Sequence, residues 1–419
     1  MLTKCKAMFE TSFYQFGFKK NHSTNLCSFV VNEVIDHFVR KDSPVYTCLL
    51  DCSKAFDRLD YAKMFDVLTQ QSVCPYMIQF LLYAYTHQSA CVKWRGTTGN
   101  FFPVTNGVKQ GGVISPILFT MYMDVLLKRL VSRGAGCWLT GRYCGSFAYA
   151  DDVILLAPSR QSLICMLHTC AEFAREFNVN FNASKTKMIL FSIGDVSPVP
   201  FMNNVLEIVP HEKHLGFPIG ANSNTLLVES MCQEIMSKTN MLHCTFSRLP
   251  VDALYQLFRT YCTPLYGCHL LDFTSRDCER LFVTWRKAIR FLFKLPPTTH
   301  CALLPLICHD IPFDLQLHRR VAKFFSSCIN SSNLIVRSCA EAALHSGTSI
   351  SHSLTLLSRK YRCSKISLVN QCHSPAPIED DCVTASIIHD ILNMQRQRVN
   401  HPFALTSTEL KIALHICTE

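Results

Sequence analysis

Two stretches of this chain place carboxylates where a sheet would gather them. Asp51 ends the β-rich run VYTCLLD (45–51), and Asp151 and Asp152 follow each other in SFAYADDVILLA, which reads as a hairpin with both aspartates at its bend. If the two strands are neighbours, three carboxylates meet at one sheet edge. Like charges a few ångströms apart raise each other's pKa, so such a cluster stays ionised only with cations present. Two Mg²⁺ ions, with Mn²⁺ as the alternative, satisfy that need and suit in-line phosphoryl transfer. An Asp-Asp pair at a bend is ordinary turn chemistry when it stands alone, so the surrounding residues decide.

The elements that must hold these residues are readable in outline. Helical patterns cover 60–73 and 75–87, the second opened by Pro75 in its first turn. SACVKWR and NFFPVT form a hairpin pattern over 89–104. Ser115 and Pro116 read as N-cap and first turn of a helix that stops at Gly134. Ser159 opens another helix to about Phe177, and strands are expected near 187–192 and 205–209. The alternation lacks a Gly-rich phosphate loop, which favours an α+β domain with helices on one face of an antiparallel sheet. From about residue 225 strand signals fade, and helical spacing recurs through 226–246, 251–262, 276–295 and 313–329. After about 335 periodicity is weak, and HSPAPIEDD reads as loop.

Composition narrows the class. A chain of 419 residues, 48% hydrophobic and 17% charged, folds rather than staying disordered. The net charge of +10 suits a polyanionic partner without requiring one. None of the 23 cysteines forms a C-x-x-C pair; Cys165, His168 and Cys170 are the nearest approach to a metal cluster and lie inside a helical pattern. The N-terminal residues do not read as a signal peptide and no apolar run reaches 18 residues. Reduced thiols, no membrane span and an intracellular location, nucleus or cytoplasm, are therefore expected.

Six segments, in order, carry a family resemblance. CLLDCSKAFDRLDY (48–61), NGVKQGGVISPILFTMYMD (106–124) and FAYADDVILL (147–156) resemble motifs A, B and C of reverse transcriptases from non-LTR (LINE-type) retrotransposons. FGFKKNHSTN (16–25) resembles the fingers motif before motif A, FNASKTKMILF (181–191) motif D, and HEKHLGFPI (211–219) motif E, the primer grip. The resemblance implies an α+β right-hand polymerase: partial fingers over 1–44, a palm over 45–225, a helical thumb-like domain over 226–334 and a helical or irregular region over 335–419. It implies an RNA-directed DNA polymerase that takes an RNA template, a DNA primer and dNTPs. Asp51, Asp151 and Asp152 would hold the metals, and Tyr149 would pack under the primer terminus. Phe56 would be the aromatic gate beneath the incoming sugar. Gln110 and Gly111 would meet the nucleotide, and Lys185 would protonate departing pyrophosphate. Lys19 stands where relatives carry an arginine, keeping the charge and losing the planar fork. Arg286, Lys287, Arg290 and Lys294 are expected on one face of a thumb helix, tracking phosphates. Relatives have a further fingers segment ahead of Gln15. The expectation is therefore an N-terminally truncated polymerase of poor activity, the alternative being a silent relic that retains nucleic-acid binding.

Overall fold

The computed structural model describes residues 9–246, 248–361, 364 and 365, so HSPAPIEDD lies outside the described residues. Two compact units divide the chain, one reaching to Ala221 and including Ser331–Ala342, the other holding Asn222–Asn330 and the residues from Ala343.

In chain order the first unit has helix α1 (Thr24–Val39), strand β1 (Val45–Leu50), helices α2 (Tyr61–Gln70), α3 (Pro75–Thr86) and α4 (Ser115–Arg133), and the hairpin β2 (Ser146–Tyr149) and β3 (Asp152–Ala157). Helix α5 (Arg160–Glu176) and strands β4 (Lys187–Phe191) and β5 (Glu207–Ile208) follow. The five strands form one sheet in the order β5-β4-β1-β3-β2. Strand β1 is antiparallel to β4, with Cys48 opposite Met188, and to β3, with Leu50 opposite Val153. Only β4 and β5 run parallel.

Two faces of this sheet are covered, not one. Tyr46, Cys48 and Leu50 on β1 and Val153, Leu155 and Ala157 on β3 pack into a core with Phe119, Leu126 and Leu127 of α4 and Leu163, Cys170 and Phe173 of α5. The alternate residues Val45, Thr47, Ile154 and Leu156 are equally buried on the other side, where α1 adjoins β1 and β2. A central strand buried on both faces reads as a continuous apolar run, which is why VYTCLL and VILLA show no alternation.

Helix ends follow their chemistry. The Ser23 and Ser159 hydroxyls accept from backbone N–H groups in the first turns of α1 and α5. Gly134, left-handed at φ 70°, ends α4 as expected. Ser115 is the first helical residue of α4 and not its cap; Ile114 takes that place without a side-chain bond.

In the second unit α6 (Ser223–Phe246) and α8 (Asp277–Leu292) lie side by side, with α7 (Val251–Tyr261) between them in sequence and α9 (Phe313–Ile329) following. Thr225 donates to Asp277 at 2.7 Å, Arg280 pairs with Glu229 at 3.3 Å and Thr284 meets the Cys232 sulfur at 3.3 Å, so α6 and α8 run in the same direction. Trp285 stacks on Phe313 with ring centroids 5.3 Å apart. Helix α10 (Leu334–His345), most of which belongs to the first unit, and helix α11 (Ser349–Lys360) of the second lie where periodicity is weak in sequence. Among the described residues no helix is long and apolar enough to cross a membrane.

Candidate active site

The antiparallel register sets the candidate site. Beyond the Leu50–Val153 pair, the next residues are Asp51 on one chain segment and Asp152 on the other. Tyr149 pairs with Asp152 across the hairpin, which leaves Ala150 and Asp151 as the bend, with Ala150 in the left-handed region at φ 60°. Burial, then the charge of Asp51, pushes the Asp151 carboxyl above the ordinary range. Burial, then the charges of Asp151 and Asp51, does the same to Asp152. Asp51 therefore lies close enough for its charge to act on both Asp151 and Asp152. Among the described residues no three His, Cys, Asp or Glu side chains are gathered into a ready cage for an ion. Cys52 stands beside the cluster, but burial and the neighbouring aspartates push its thiol far up, so it stays protonated and offers no thiolate.

Two segments distant in sequence hold these aspartates in place. On the side of the hairpin, residues 14–17 run alongside β2. The Phe16 N–H donates to Ala148 O at 2.8 Å, and the Ala148 N–H to Tyr14 O at 3.0 Å. The fully buried Gln15 turns its Oε1 into the bend, accepting from the N–H groups of Gly17 and Ala150, both at 2.9 Å. Its Nε2 finds no partner among the described residues. A Cβ at Gly17 would lie 2.5 Å from the Ala150 nitrogen, so glycine is required for this approach. Gln15 is not among the site residues expected from sequence, where its one signal is its place just before the FGF of the fingers-like motif.

On the other side, the turn before β4 grips Asp51 by its backbone. The Asn182 N–H donates to Asp51 O at 2.8 Å, and the Asp51 N–H reaches Thr186 Oγ1 at 3.4 Å. Lys185 sits in this turn, exposed, its N–H bonded to Asn182 O.

The A-like and B-like motifs are tied together. Phe56 stacks on Phe119 of α4, centroids 4.4 Å apart, and its carbonyl accepts from the Val108 N–H. Gln110 donates through Nε2 to Asp57 at 3.1 Å. Gly107, left-handed, has no room for a side chain against the Asp57 backbone, whereas Gly111, also left-handed, faces open space. The Tyr149 ring lies 6.5 Å from that of Phe18. Lys19 turns inward: its ammonium donates to the carbonyls of Thr11 and Ser12 at 3.0 and 2.8 Å, and burial lowers its pKa. That places its charge on the chain's own backbone.

The four thumb-like cations do not share one role. Arg286 pairs with Glu279, and Arg290 makes two hydrogen bonds to Thr299 O at 3.1 and 2.8 Å. Lys287 is exposed on α8. Lys294 is exposed too, but α8 ends at Leu292 and Lys294 is left-handed beyond it, so the expectation that all four lie on one helical face is corrected. Residues before a proline avoid the α region, and Pro296 and Pro297 stop the helix early.

Residues 1–243 match the family model described as reverse transcriptase (RNA-dependent DNA polymerase). The chain is similar to the Retrovirus-related Pol polyprotein from type-2 retrotransposable element R2DM of Drosophila melanogaster, 31% identical over 37% of this chain and 15% of that protein. It is also similar to the RNA-directed DNA polymerase from mobile element jockey of Drosophila funebris, 23% identical over 80% of this chain and 38% of that one. The matches thus span well under half of these relatives. Among solved structures, telomerase from Candida tropicalis in complex with a fragment of telomeric RNA aligns with 90% of this chain and 56% of its own, at 11% identity and a TM-score of 0.42. With more than half its length matched, this chain belongs to the reverse transcriptase (RNA-dependent DNA polymerase) family, in the company of non-LTR retrotransposon polymerases.

Proposed function

We propose that this chain adds deoxynucleotides to a primer 3′ end on an RNA template, as the polymerase part of a non-LTR retrotransposon protein. The observation that carries the reading is the register that sets Asp51 across from Asp152, beside Asp151, at the β1–β3 edge, where burial first and neighbouring carboxylate charge second push the Asp151 and Asp152 carboxyls up. The donors there are carboxylate oxygens and the neighbouring thiol is protonated, which fits a hard divalent ion. Mg²⁺ needs only one or two protein carboxylates, with water and phosphate oxygens completing its shell, so a closed cage of three is not required. Bound there, two such ions would offset charge on the attacking 3′ oxygen and on the pyrophosphate that leaves. Mn²⁺ has the same oxygen-ligand chemistry.

Around that reaction the chain's residues have definite tasks. Phe56, held against Phe119, would present a fixed edge to the sugar, and Gln110, held by Asp57, would face the nucleotide from the B-like loop beside Gly111. Tyr149 would support the primer end. Lys185, in the turn bonded to the Asp51 backbone, would deliver a proton to the departing pyrophosphate. In this reading residues 45–225 form the palm, the preceding residues lend the fingers side, and residues 226–334 form a thumb-like domain.

Primer extension on an RNA template with Mg²⁺ and dNTPs tests this. Asp151→Asn should lower extension by at least about 100-fold while primer–template binding persists. Equal extension by Asp151→Asn would sink the assignment. Binding without extension by the parent chain would favour the silent relic.

A further inference from the structure

The hairpin between α3 and α4 is poorly covered for so apolar a ribbon. Ser89–Ala90 pairs with Phe102–Pro103, and Lys93–Trp94 with Thr97–Thr98. Its base is tied to the end of α3 through Gln88, whose carbonyl accepts from Val104 and whose amide donates to Tyr85 O at 3.3 Å. From there outward both faces meet solvent: Trp94 and Phe101 are each 71% exposed and Phe102 49%, and Tyr83 at the end of α3 is 67% exposed. A two-stranded ribbon with neither face covered is marginally stable in water, so a partner is expected. Charge indicates which kind. Between Asp66 and Asp124 the chain has no acidic residue, and its charged side chains there are Lys93, Arg95 and Lys109. Lys93 and Arg95 flank Trp94 on the ribbon itself, both exposed.

Exposed rings interleaved with cations suit unpaired bases and their phosphates, since every base offers a π-face and stacking tolerates any sequence. The two cations that flank Trp94 on the ribbon favour a polyanion over an uncharged apolar partner. We propose that this hairpin is a stacking platform for single-stranded RNA, separate from the carboxylate site. That the strand is a template rests on the polymerase reading, whereas binding itself does not.

The test uses the chain without nucleotides or catalysis and compares two probes by fluorescence anisotropy: a blunt RNA–DNA duplex, and the same duplex with a 12-nucleotide RNA overhang. Trp94→Leu keeps an apolar side chain at an exposed position and removes the ring. It should weaken overhang binding by about five- to a hundredfold and leave the blunt duplex unchanged. Lys93→Gln with Arg95→Gln should lower the salt slope for a free single strand by about 1.4. Circular dichroism confirms that each variant is folded. Unchanged overhang affinity in Trp94→Leu overturns the proposal. So does self-association of the parent chain that Trp94→Asp abolishes, because the ribbon would then be a contact between protein copies. Loss of primer extension with overhang binding intact would count against the polymerase reading alone.

Discussion

Replacing Gln15 by alanine should damage catalysis more than folding. Two buried N–H groups, of Gly17 and Ala150, would lose their acceptor, at about 1–3 kcal/mol each. The same change removes Nε2, a buried donor without a partner among the described residues, and recovers a similar amount once. The net cost is on the order of 1–3 kcal/mol, a shift of about 2–4 °C in Tm per kcal/mol for a unit of this size. The bend that carries Asp151 suffers more. Ala150 is held left-handed, a conformation that costs an L-residue about 1–2 kcal/mol, and the bond to Gln15 helps to keep it there. Released, the bend can relax and carry Asp151 with it. A displacement of about 1 Å at a reacting centre costs on the order of 100-fold in rate.

The assay is single-nucleotide primer extension, with kcat and KM for dNTP measured separately, beside thermal unfolding. Gln15→Ala should lower kcat by about 10- to 100-fold with KM nearly unchanged. Adding Ala150→Gly relieves the left-handed strain, so it should recover Tm while leaving kcat low, because the bend is freer still. If the double variant recovers Tm and kcat together, or if Gln15→Ala loses Tm without kcat, Gln15 holds the fold and does not position the site.

Two further outcomes follow from side chains placed elsewhere. Substituting Lys287 and Lys294 by glutamine should reduce the salt slope of duplex binding by about 1.8 without lowering Tm, whereas Arg290→Ala should cost about 1.5–3 kcal/mol of stability through the lost bonds to Thr299 O; an unchanged slope in the lysine variant would mean those charges face water only. His214, buried in the hairpin of 211–220, has its pKa lowered from 6.5 to about 4 by burial. The unfolded chain therefore binds the extra proton first, and stability is lost as pH falls from about 6.5 towards 4, by about 3 kcal/mol at the lower end. His214→Phe should flatten that part of the pH–stability curve, and a curve of the same steepness would refute it.

Much of the fold was legible because its decisive strands are short and bounded by turn residues. The strand before Asp51, the Asp151–Asp152 hairpin and the helices opened by Pro75 and Ser159 fall where the pattern predicts them. What escaped had physical reasons. Helices α10 and α11 are built from Ser, Thr, Ala, His and Cys among the apolar residues, which dilutes the 3.6-residue period although Ile335, Val336, Cys339, Leu354 and Leu357 are buried. The second covered face of the sheet escaped because a continuous apolar strand cannot say which elements cover it. Ser331–Ala342 belongs to the first unit although it follows the helices of the second in sequence; there Asn333 donates to Phe13 O at 2.9 Å and caps its own helix through Oδ1.

The candidate site shows the same division within itself. The carboxylates proposed to carry the chemistry announce themselves locally, because a strand end and a hairpin bend are local patterns. The groups that fix their positions do not. The bond from Asp51 to Thr186 and the bond from Ala150 to Gln15 each span 135 residues, and they approach from opposite sides of the sheet. The strand order accounts for both. With β1 central, its neighbour β4 brings the 182–186 turn to Asp51, while β2 at the outer edge leaves a free side that residues 14–17 complete as a further ribbon. An open edge beside the Asp151 bend would be free to pair with other strands or to fray. Closing it with a segment whose one polar side chain turns inward onto the bend makes sheet completion and carboxylate placement the same event. Variants in residues 14–17 should therefore register at Asp151, a consequence that neither segment shows when read alone.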